Sequence, residues 1–574
     1  MFYLSETKKR YCRYFSLLAV VILGVVSILG TGGGGDSSTT PPPPAAPSVD
    51  TVSPKSTDAA LVTSLVTVQF NTAMDESTLN DPATNFFVVD DSTQIPVPGS
   101  VEYYPTYEVN HNYVAVFTPT TDLNINNPYT ATVTTDVKDS SGIPLARDYV
   151  WSFTIAPNLT LVSADANGVA GNNYDGADNS DISATGDYIV FVSKEDLAPG
   201  YSTGGVAQIY RKNTVTGKVE VVSLNSNNAL ANGNCSSPRI NDAGRYVAFA
   251  STATNLAPPG SNPGGINHIY RKDMRDGTLS LLDVTHNNAS LAGDEPSTRP
   301  DISALGNFIV FESNATNLVD NDTNGLTDIF IRNYSSGTIE RISIATNGDE
   351  SKNGSSYNPR ISSDGSRIVF ESEASDLVSV DVGGHRDILY RDRTGSTTTL
   401  VSVDSSVVPV QADADSFNAD ISDDGNYVVF QSDATNLVTG DTNSMTDIFL
   451  RDLVSTTTTR ISLKSDGSQT TSGQSASPAI NADGSYVAFT SNANDLVSTD
   501  PNGTVADVFV LNTSNANSIK LLSLPSPPNI QAIGYGAAIS ANSRYVSFVS
   551  TYSFDVLDTN GLNDIYRAYN SALP

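Results

Sequence analysis

The feature that most constrains this chain is a phrase that returns seven times. DISATGDYIVFVS (181–193), RINDAGRYVAFAS (239–251), DISALGNFIVFES (301–313), RISSDGSRIVFES (360–372), DISDDGNYVVFQS (420–432), AINADGSYVAFTS (479–491) and AISANSRYVSFVS (538–550) are variants of one text. Their isoleucines, Ile182, Ile240, Ile302, Ile361, Ile421, Ile480 and Ile539, are spaced by 58, 62, 59, 60, 59 and 59 residues. Such a period marks an array of supersecondary units, none of which can bury its apolar face alone. Within each unit the apolar runs are short and bounded by Ser, Thr, Asn, Asp and Gly, which spells strands and turns. A first strand around x-Ile-Ser leads to a run such as Tyr246-Val247-Ala248-Phe249. A third strand such as Ile448-Phe449-Leu450-Arg451 and a fourth such as Ile339-Glu340-Arg341-Ile342-Ser343 follow. Four antiparallel strands, repeated radially, make a propeller blade.

The seventh unit reaches Ile565-Tyr566-Arg567 and ends at Pro574 without a fourth strand. Leu159-Thr160-Leu161-Val162-Ser163, ahead of the first unit, matches later fourth strands such as Leu521-Leu522-Ser523. It is expected to complete the last blade and remove an exposed edge. The expected fold class is all-β: an Ig-like sandwich over 48–156, then a seven-bladed β-propeller over 157–574 closed by an N-terminal strand.

The blade text resembles the WD40-like repeats of TolB-type propellers, which carry S-x-D-G before an apolar strand and D-I-Y or D-I-F in the third. Here these are Ser363-Asp364-Gly365, Asp423-Asp424-Gly425, Asp328-Ile329-Phe330 and Asp447-Ile448-Phe449. The resemblance spans about residues 158–570. It implies an extracytoplasmic propeller that docks proteins or other ligands, and leaves the ligand open because this architecture hosts many functions.

From Ser48 to Ile155 the text differs. VTVQF (66–70), YVAVFTP (113–119), YTATVTT (129–135) and YVWSFTI (149–155) alternate with period two and turn residues between them, as a two-sheet sandwich does. PSVDTVSP (47–54), VQFNTAMDESTL (68–79), FTPTTDL (117–123) and VKDSSGIPLARDYVWSFT (137–154) resemble the bacterial Ig-like module of surface-layer (SbsA-type) proteins. That resemblance implies a spacer or adhesive unit without catalysis. Trp151, the only tryptophan, reads as core of the last strand.

Lys8, Lys9, Arg10 and Arg13 precede the apolar run FSLLAVVILGVVSILG (15–30), which describes a secretory signal or a short membrane anchor. Gly30 and Gly32 form a weak cleavage site, and Leu29-Gly30 is followed by Thr31 rather than by the cysteine a lipoprotein needs. TGGGGDSSTTPPPPAAP (31–47) is a spacer that cannot bury a core. The protein is therefore expected outside the cytoplasm, in the periplasm or at the cell surface, touching membrane only through its N-terminal segment if uncleaved. Cys12 precedes the apolar run and leaves Cys235 without an intramolecular partner, so disulfides do not hold the fold.

The formal charge is −31; without the first 14 residues it becomes −34, from 27 basic and 61 acidic residues. A surface this negative repels phosphate backbones and anionic lipid, which excludes nucleic acid as an expected partner. It accommodates cations and neutral or basic partners.

One loop has the pattern of a calcium site. Asp320-Asn321-Asp322-Thr323-Asn324-Gly325-Leu326-Thr327-Asp328 places oxygen side chains at positions 1, 3, 5 and 9 with glycine at the sharp turn. Asp320, Asp322, Asn324 and Asp328 are the candidate ligands of a structural calcium ion. Asp441-x-Asn443 with Asp447, and Asp558-x-Asn560-Gly561 with Asp564, keep only part of the pattern. Asp381 with Asp387, and Asp500 with Asp507, keep less, so the repeated aspartate before the third strand reads mainly as structural.

Catalytic motifs are missing. His111, His268, His286 and His385 are scattered, with no H-E-x-x-H and no Cys/His cluster. There is no G-x-S-x-G elbow and no glycine-rich phosphate loop. The S-x-D-G turns resemble the Asp-box of sialidase propellers, but a tight turn between strands one and two accounts for them. The expectation is a non-enzymatic protein that binds an envelope protein or surface polysaccharide through one propeller face. The alternatives are a carbohydrate-active enzyme, lyase or glycosidase, using the channel (a lyase would call on His268 and His385) and an architectural cell-surface spacer.

Overall fold

The computed structural model describes residues 46–570 apart from 55–58, 61–65, 80–84, 106–112, 121–122, 124–127, 156–158, 172–175, 258–264, 499, 501, 524–532, 555–557 and 559. The signal or anchor over 1–30 and the spacer up to residue 45 lie outside the described residues. The chain divides into two compact units, one ending at Asn158 and one running from Leu159 to Leu573.

The first unit is two sheets around one core. Val49–Ser53, Val66–Phe70, Tyr113–Pro119 and Gly99–Tyr104 form a four-stranded sheet in that order. Ala59–Ala60, Tyr149–Ile155, Pro128–Val133, Phe86–Asp90 and Ile95–Pro96 form a five-stranded one. Val66–Phe70 and Phe86–Asp90 bury every second side chain, as half-buried strands must. Val66, Val68, Phe70 and Phe117 from one sheet meet Phe86, Tyr129, Trp151 and Phe153 from the other. Trp151 lies with its ring 6.0 Å from that of Phe86, in the core. The single turn Glu76–Leu79 is the only helix among the described residues.

The second unit contains seven four-stranded antiparallel sheets among the described residues. Six run in chain order; the third, for example, is Ser297–Ile302, Phe308–Ser313, Asp328–Asn333 and Ile339–Arg341. The seventh joins Gly534–Ile539, Tyr545–Ser550 and Asp564–Tyr569 to Leu159–Leu161 as its outermost strand. Leu159 pairs there with Ala568 and Leu161 with Tyr566. Each sheet is open, with its own edges. First strands of successive sheets lie against one another, and that of the seventh lies against that of the first. This all-β arrangement fits a β-propeller.

Three repeated devices build the unit. The first is a tie inside each sheet. Asp447, which opens the third strand of the fifth sheet, is buried and accepts a 2.5 Å hydrogen bond from Ser462 Oγ behind the fourth strand. Ser462 Oγ in turn accepts the N–H of Ile448 at 3.0 Å. Ser343–Asp328, Ser402–Asp387, Ser523–Asp507 and Ser163–Asp564 repeat it. In the first sheet Gln208 takes the place of the aspartate. In the second the polarity is exchanged: His268 stands where aspartate stands elsewhere, and Asp283 stands where serine does, 2.8 Å from His268 Nδ1. Asp283 also accepts the N–H of Ile269 at 3.0 Å. The repeated aspartate is thus a structural group.

The second device joins neighbouring sheets. Gly484, in a turn between first and second strands, has φ +72°, and a Cβ there would stand 2.4 Å from Cδ2 of Tyr427 in the preceding sheet. The glycine is required by this close approach as well as by its φ. Gly186 makes the same contact with Tyr545, between the first and seventh sheets. The third device is a bulge in every first strand. Asn179, Ser237, Arg299, Asn358, Asn418, Ser477 and Gly536 all have φ between 47° and 64°, three residues before the repeated isoleucine. The ladder shifts register beside each of them, which bends the strand.

Removing Ser462 Oγ takes the donor from Asp447 Oδ1 and leaves the buried carboxylate only the longer bonds that Arg460 and Asn443 make to Oδ2. Ser462→Ala is expected to lower stability by about 1–3 kcal/mol in urea unfolding. The double change His268→Asp with Asp283→Ser installs the common pair in the second sheet and is expected to restore most of what either single change loses.

Candidate binding site in the inner cavity

The seven repeated isoleucines line one cavity of about 160 Å³. The residue before each isoleucine decides the charge of its wall: Asp181, Arg239, Asp301, Arg360, Asp420, Ala479 and Ala538 in chain order. Each aspartate is fixed by the next sheet, since Asp181, Asp301 and Asp420 accept the N–H of Ile240, Ile361 and Ile480 at 2.8, 3.0 and 3.0 Å. Arg239 Nη1 lies 3.6 Å from Asp181 and its Nε 3.9 Å from Asp301. Arg360 lies 3.9 Å from Asp420. Burial raises the Asp181 and Asp420 carboxyls despite these guanidinium groups.

Two further carboxylates enter the same cavity two residues after the isoleucines of the second and fifth repeats, Asp242 and Asp423. Burial, then Asp242 and Asp420, push Asp423 up to about 7. Asp242 is also raised, by burial and by Asp181. The wall therefore carries five carboxylates and two guanidinium groups. This excess of negative charge would stabilise an entering cation and oppose an anion.

Arg239 and Arg360 also border a second cavity of about 420 Å³, lined by the bulge residues Asn179, Ser237, Arg299, Asn358, Asn418, Ser477 and Gly536. The bulges expose N–H groups that acids and amides of the adjoining second strands accept. Glu312 accepts from Asn358 N at 2.9 Å, Glu371 from Asn418 N at 2.8 Å and Gln431 from Ser477 N at 2.7 Å.

The sequence-derived calcium residues are split by the structure. Asp322 and Asp328 converge, but on Arg341, whose Nη1 lies 3.2 Å from Asp322, 3.1 Å from Asp328 and 2.8 Å from Glu350. Asn324 turns its Nδ2 donor, not its oxygen, to Asp328 at 2.9 Å. Asp320 is exposed and pairs with His286 Nε2 at 2.6 Å. As they stand these groups do not fit a calcium ion, because a guanidinium holds the position between the carboxylates. The fifth sheet repeats this with Arg460, 2.9 Å from Asp441 and 3.3 Å from Asp447. In the fourth, Gln411 Nε2 donates to Asp381 and Asp387 at 3.2 and 2.6 Å. Among the described residues no group of three His, Cys, Asp or Glu side chains is set to hold a metal.

The histidines considered for a lyase do not line either cavity: His268 is buried against Asp283, and His385 lies 3.7 Å from Asp415. Cys235 is buried and its thiol pushed up to about 12, which keeps it unreactive. The inner-cavity acids escaped the sequence reading, although the column before the repeated isoleucine spells them. Reading that column for charge, rather than for periodicity, would have found them.

Residues 44–155 match the family model of the bacterial Ig-like domain Big_5. No curated protein matches the chain. Among solved structures, the TolB-type protein of Agrobacterium tumefaciens is similar over 62% of this chain and 94% of its own, at 16% identity and a TM-score of 0.33. Dipeptidyl peptidase 4 of Porphyromonas gingivalis is similar over 65% of this chain and 49% of its own, at 13% identity and 0.36. A puromycin-hydrolysing peptidase of Mycobacterium tuberculosis is similar over 74% and 56%, at 11% identity and 0.39. The chain spans about half the length of these two peptidases. Residues 44–155 thus form a bacterial Ig-like domain. Similarity at these scores assigns no activity.

Two outcomes follow from the buried acids. Burial pushes Asp322 and Asp387 up to about 6, and Asp507 and Asp564 up to about 7. An unfolded aspartate releases its proton near 3.8, so between pH 4 and 7 the folded chain holds more protons and stability falls as pH rises. The melting temperature is expected to be higher at pH 5 than at pH 8, and Asp507→Asn to flatten the dependence. With Arg341 in place, melting curves in calcium and in EDTA are expected to coincide; a rise in calcium that Asp322→Asn abolishes would show the ion displacing Arg341.

Proposed function

We propose that this is an extracytoplasmic binding or scaffold protein whose seven sheets are the blades of a propeller closed by Leu159–Leu161, and whose inner cavity holds a cationic group of its partner. The partner is an envelope protein, or a surface polymer bearing amines, with nucleic acid disfavoured by the chain's negative charge. The segment over 15–30 would export the protein or anchor it, in keeping with the bacterial Ig-like domain that follows. The observation that carries the reading is the convergence of Asp181, Asp242, Asp301, Asp420 and Asp423 on one cavity with only Arg239 and Arg360 among them.

Volume helps decide the class of ligand. The cavity of about 160 Å³ is smaller than the roughly 300–1,000 Å³ of ordinary ligand pockets. It has room for a lysine or arginine head and too little for a length of glycan. A structural calcium ion at Asp320, Asp322, Asn324 and Asp328 enters this reading only by displacing Arg341.

One observation favours a second reading, a carbohydrate-active enzyme. Asp423, raised to about 7 beside other carboxylates, has the protonation state that a general acid needs. Under the third reading, an architectural spacer, the cavity binds nothing.

The test exposes the full-length protein to an envelope extract of its own source and analyses retained and released material by mass spectrometry. Retention of one intact protein or polymer by the wild type, weakened at least tenfold in Asp242→Asn/Asp423→Asn, is the expected result. Retention should also strengthen from pH 6 to pH 8, as Asp423 ionises. Shortened polysaccharide products would favour the enzyme, and no retention at all would favour the spacer.

A further inference from the structure

The fourth sheet departs from its sisters in one loop. In four other sheets the turn behind the fourth strand closes in four residues and is polar at its tip. The closing bonds run from Asp165 N to Val169 O, Asn225 N to Ala229 O, Ala345 N to Asp349 O and Lys464 N to Ser468 O. In the fourth sheet the closing bond runs from Asp404 N to Val410 O, six residues on, and the tip reads Ser406-Val407-Val408-Pro409. Val407 and Val408 are 102% and 79% exposed.

These valines are not scattered singly. Val382 N donates to Gln411 Oε1 at 2.8 Å, which sets the loop carrying Val380 and Val382 beside Val410. All three are exposed, so five of the fourteen large exposed apolar residues described belong to this one rim. Val380 of one loop and Pro409 of the other also line a groove of about 610 Å³, where Leu377, Val378, Leu400 and Val403 alternate with polar groups such as Asp376 and Thr398. Exposed apolar side chains gathered on neighbouring loops of an otherwise polar protein mark an interaction site.

The loop is also held in shape. Asp404 Oδ1 accepts the N–H groups of Ser406 and Val410 at 3.2 and 2.9 Å. Ser405 Oγ donates to Thr458 O at 3.2 Å and accepts from Thr458 N at 2.8 Å, fastening the loop to the fifth sheet. A fastened loop loses little freedom on binding.

We propose that this rim docks a partner protein through a segment with an aliphatic or aromatic anchor flanked by lysine or arginine. Charge selects that occupant. Asp376 lines the groove and is exposed, as are Asp413 and Asp415, which follow Val410 in the chain. Of the nearby cations, His385 lies 3.7 Å from Asp415, and Arg386 is engaged by Glu371 and Glu373. Arg451, the one cation lining the groove, is buried and donates to Asp404 O and Thr458 Oγ1. A second copy, at −31, would bring the same negative charge to the interface. The groove shares no lining residue with the inner cavity.

The probe is a fluorescein-labelled peptide, Lys-Lys-Leu-Trp-Leu-Lys-Lys, titrated with the full-length protein and followed by anisotropy. Binding is expected, weakened at least tenfold by Val407→Ser/Val408→Ser, at tips whose exposure makes misfolding no concern, and by glutamate in place of the four lysines. The titration is run on the Asp242→Asn/Asp423→Asn protein as well as on the wild type, so that lysine held by the inner cavity does not enter the reading, and the loss caused by Val407→Ser/Val408→Ser is expected in both. No binding, or equal binding by Val407→Ser/Val408→Ser, would overturn the proposal. So would sedimentation in which the wild type self-associates and that variant does not, since the occupant would then be a second copy.

Discussion

The structure of the second unit depends on one small hydrogen-bonded tie: a buried side chain at the head of the third strand accepting a hydroxyl, and that hydroxyl accepting a backbone N–H. A lone carboxylate in so buried a place would be costly, and a fourth strand of three or four residues, as in every sheet but the sixth, has few ladder bonds of its own. Each defect offsets the other. The carboxylate gains a donor, and the strand gains a side-chain anchor beyond its own ladder. The second sheet shows that the tie, not the residue, is what matters, because His268 and Asp283 perform it with the roles reversed. Where a loop brings a second aspartate near, a guanidinium or an amide follows, as Arg341, Arg460 and Gln411 do. A buried pair of acids needs a nearby positive or donating group, and in these sheets the chain supplies it.

Much of this was legible in the text. The four-strand unit, the strand ahead of the first repeat and the sandwich core around Trp151 follow from periodicity and from matching phrases, because apolar alternation is written directly in the sequence. What the text concealed is convergence. Asp320, Asp322, Asn324 and Asp328 sit at calcium spacing, yet their partners come from other elements: Arg341 on the fourth strand, Glu350 beyond it, and His286 from the preceding sheet. Spacing along one loop cannot reveal a cation that arrives from another. The inner-cavity acids were hidden for the opposite reason. Asp181, Asp301 and Asp420 lie 119 or more residues apart in the chain and meet only when first strands gather.

The two proposed sites arise differently on one repeated frame. The inner cavity arises from the column that every sheet contributes, so its character is a sum over repeats, with Ala479 and Ala538 leaving part of the wall uncharged. The valine rim arises from one repeat breaking the rule the others keep. Repetition makes such a departure readable, since sister loops supply the comparison within a single chain.

The pairing of Leu159–Leu161 with Asp564–Tyr569 carries a consequence for how the molecule is made. Ser163 and Asp564 are separated by 401 residues, so the seventh sheet cannot be finished while the chain is still emerging. Six sheets can form from contiguous text as it appears, each a local event, but the last must wait for a loop closure spanning nearly the whole unit. Until then Leu159–Leu161 and the third strand of the last repeat, Asp564–Tyr569, offer unpaired backbone to any neighbour. A chain cut short near residue 564 would keep the text of six sheets yet lose the strand to which Leu159–Leu161 pairs, leaving both ends of the unit with an unfinished sheet between them.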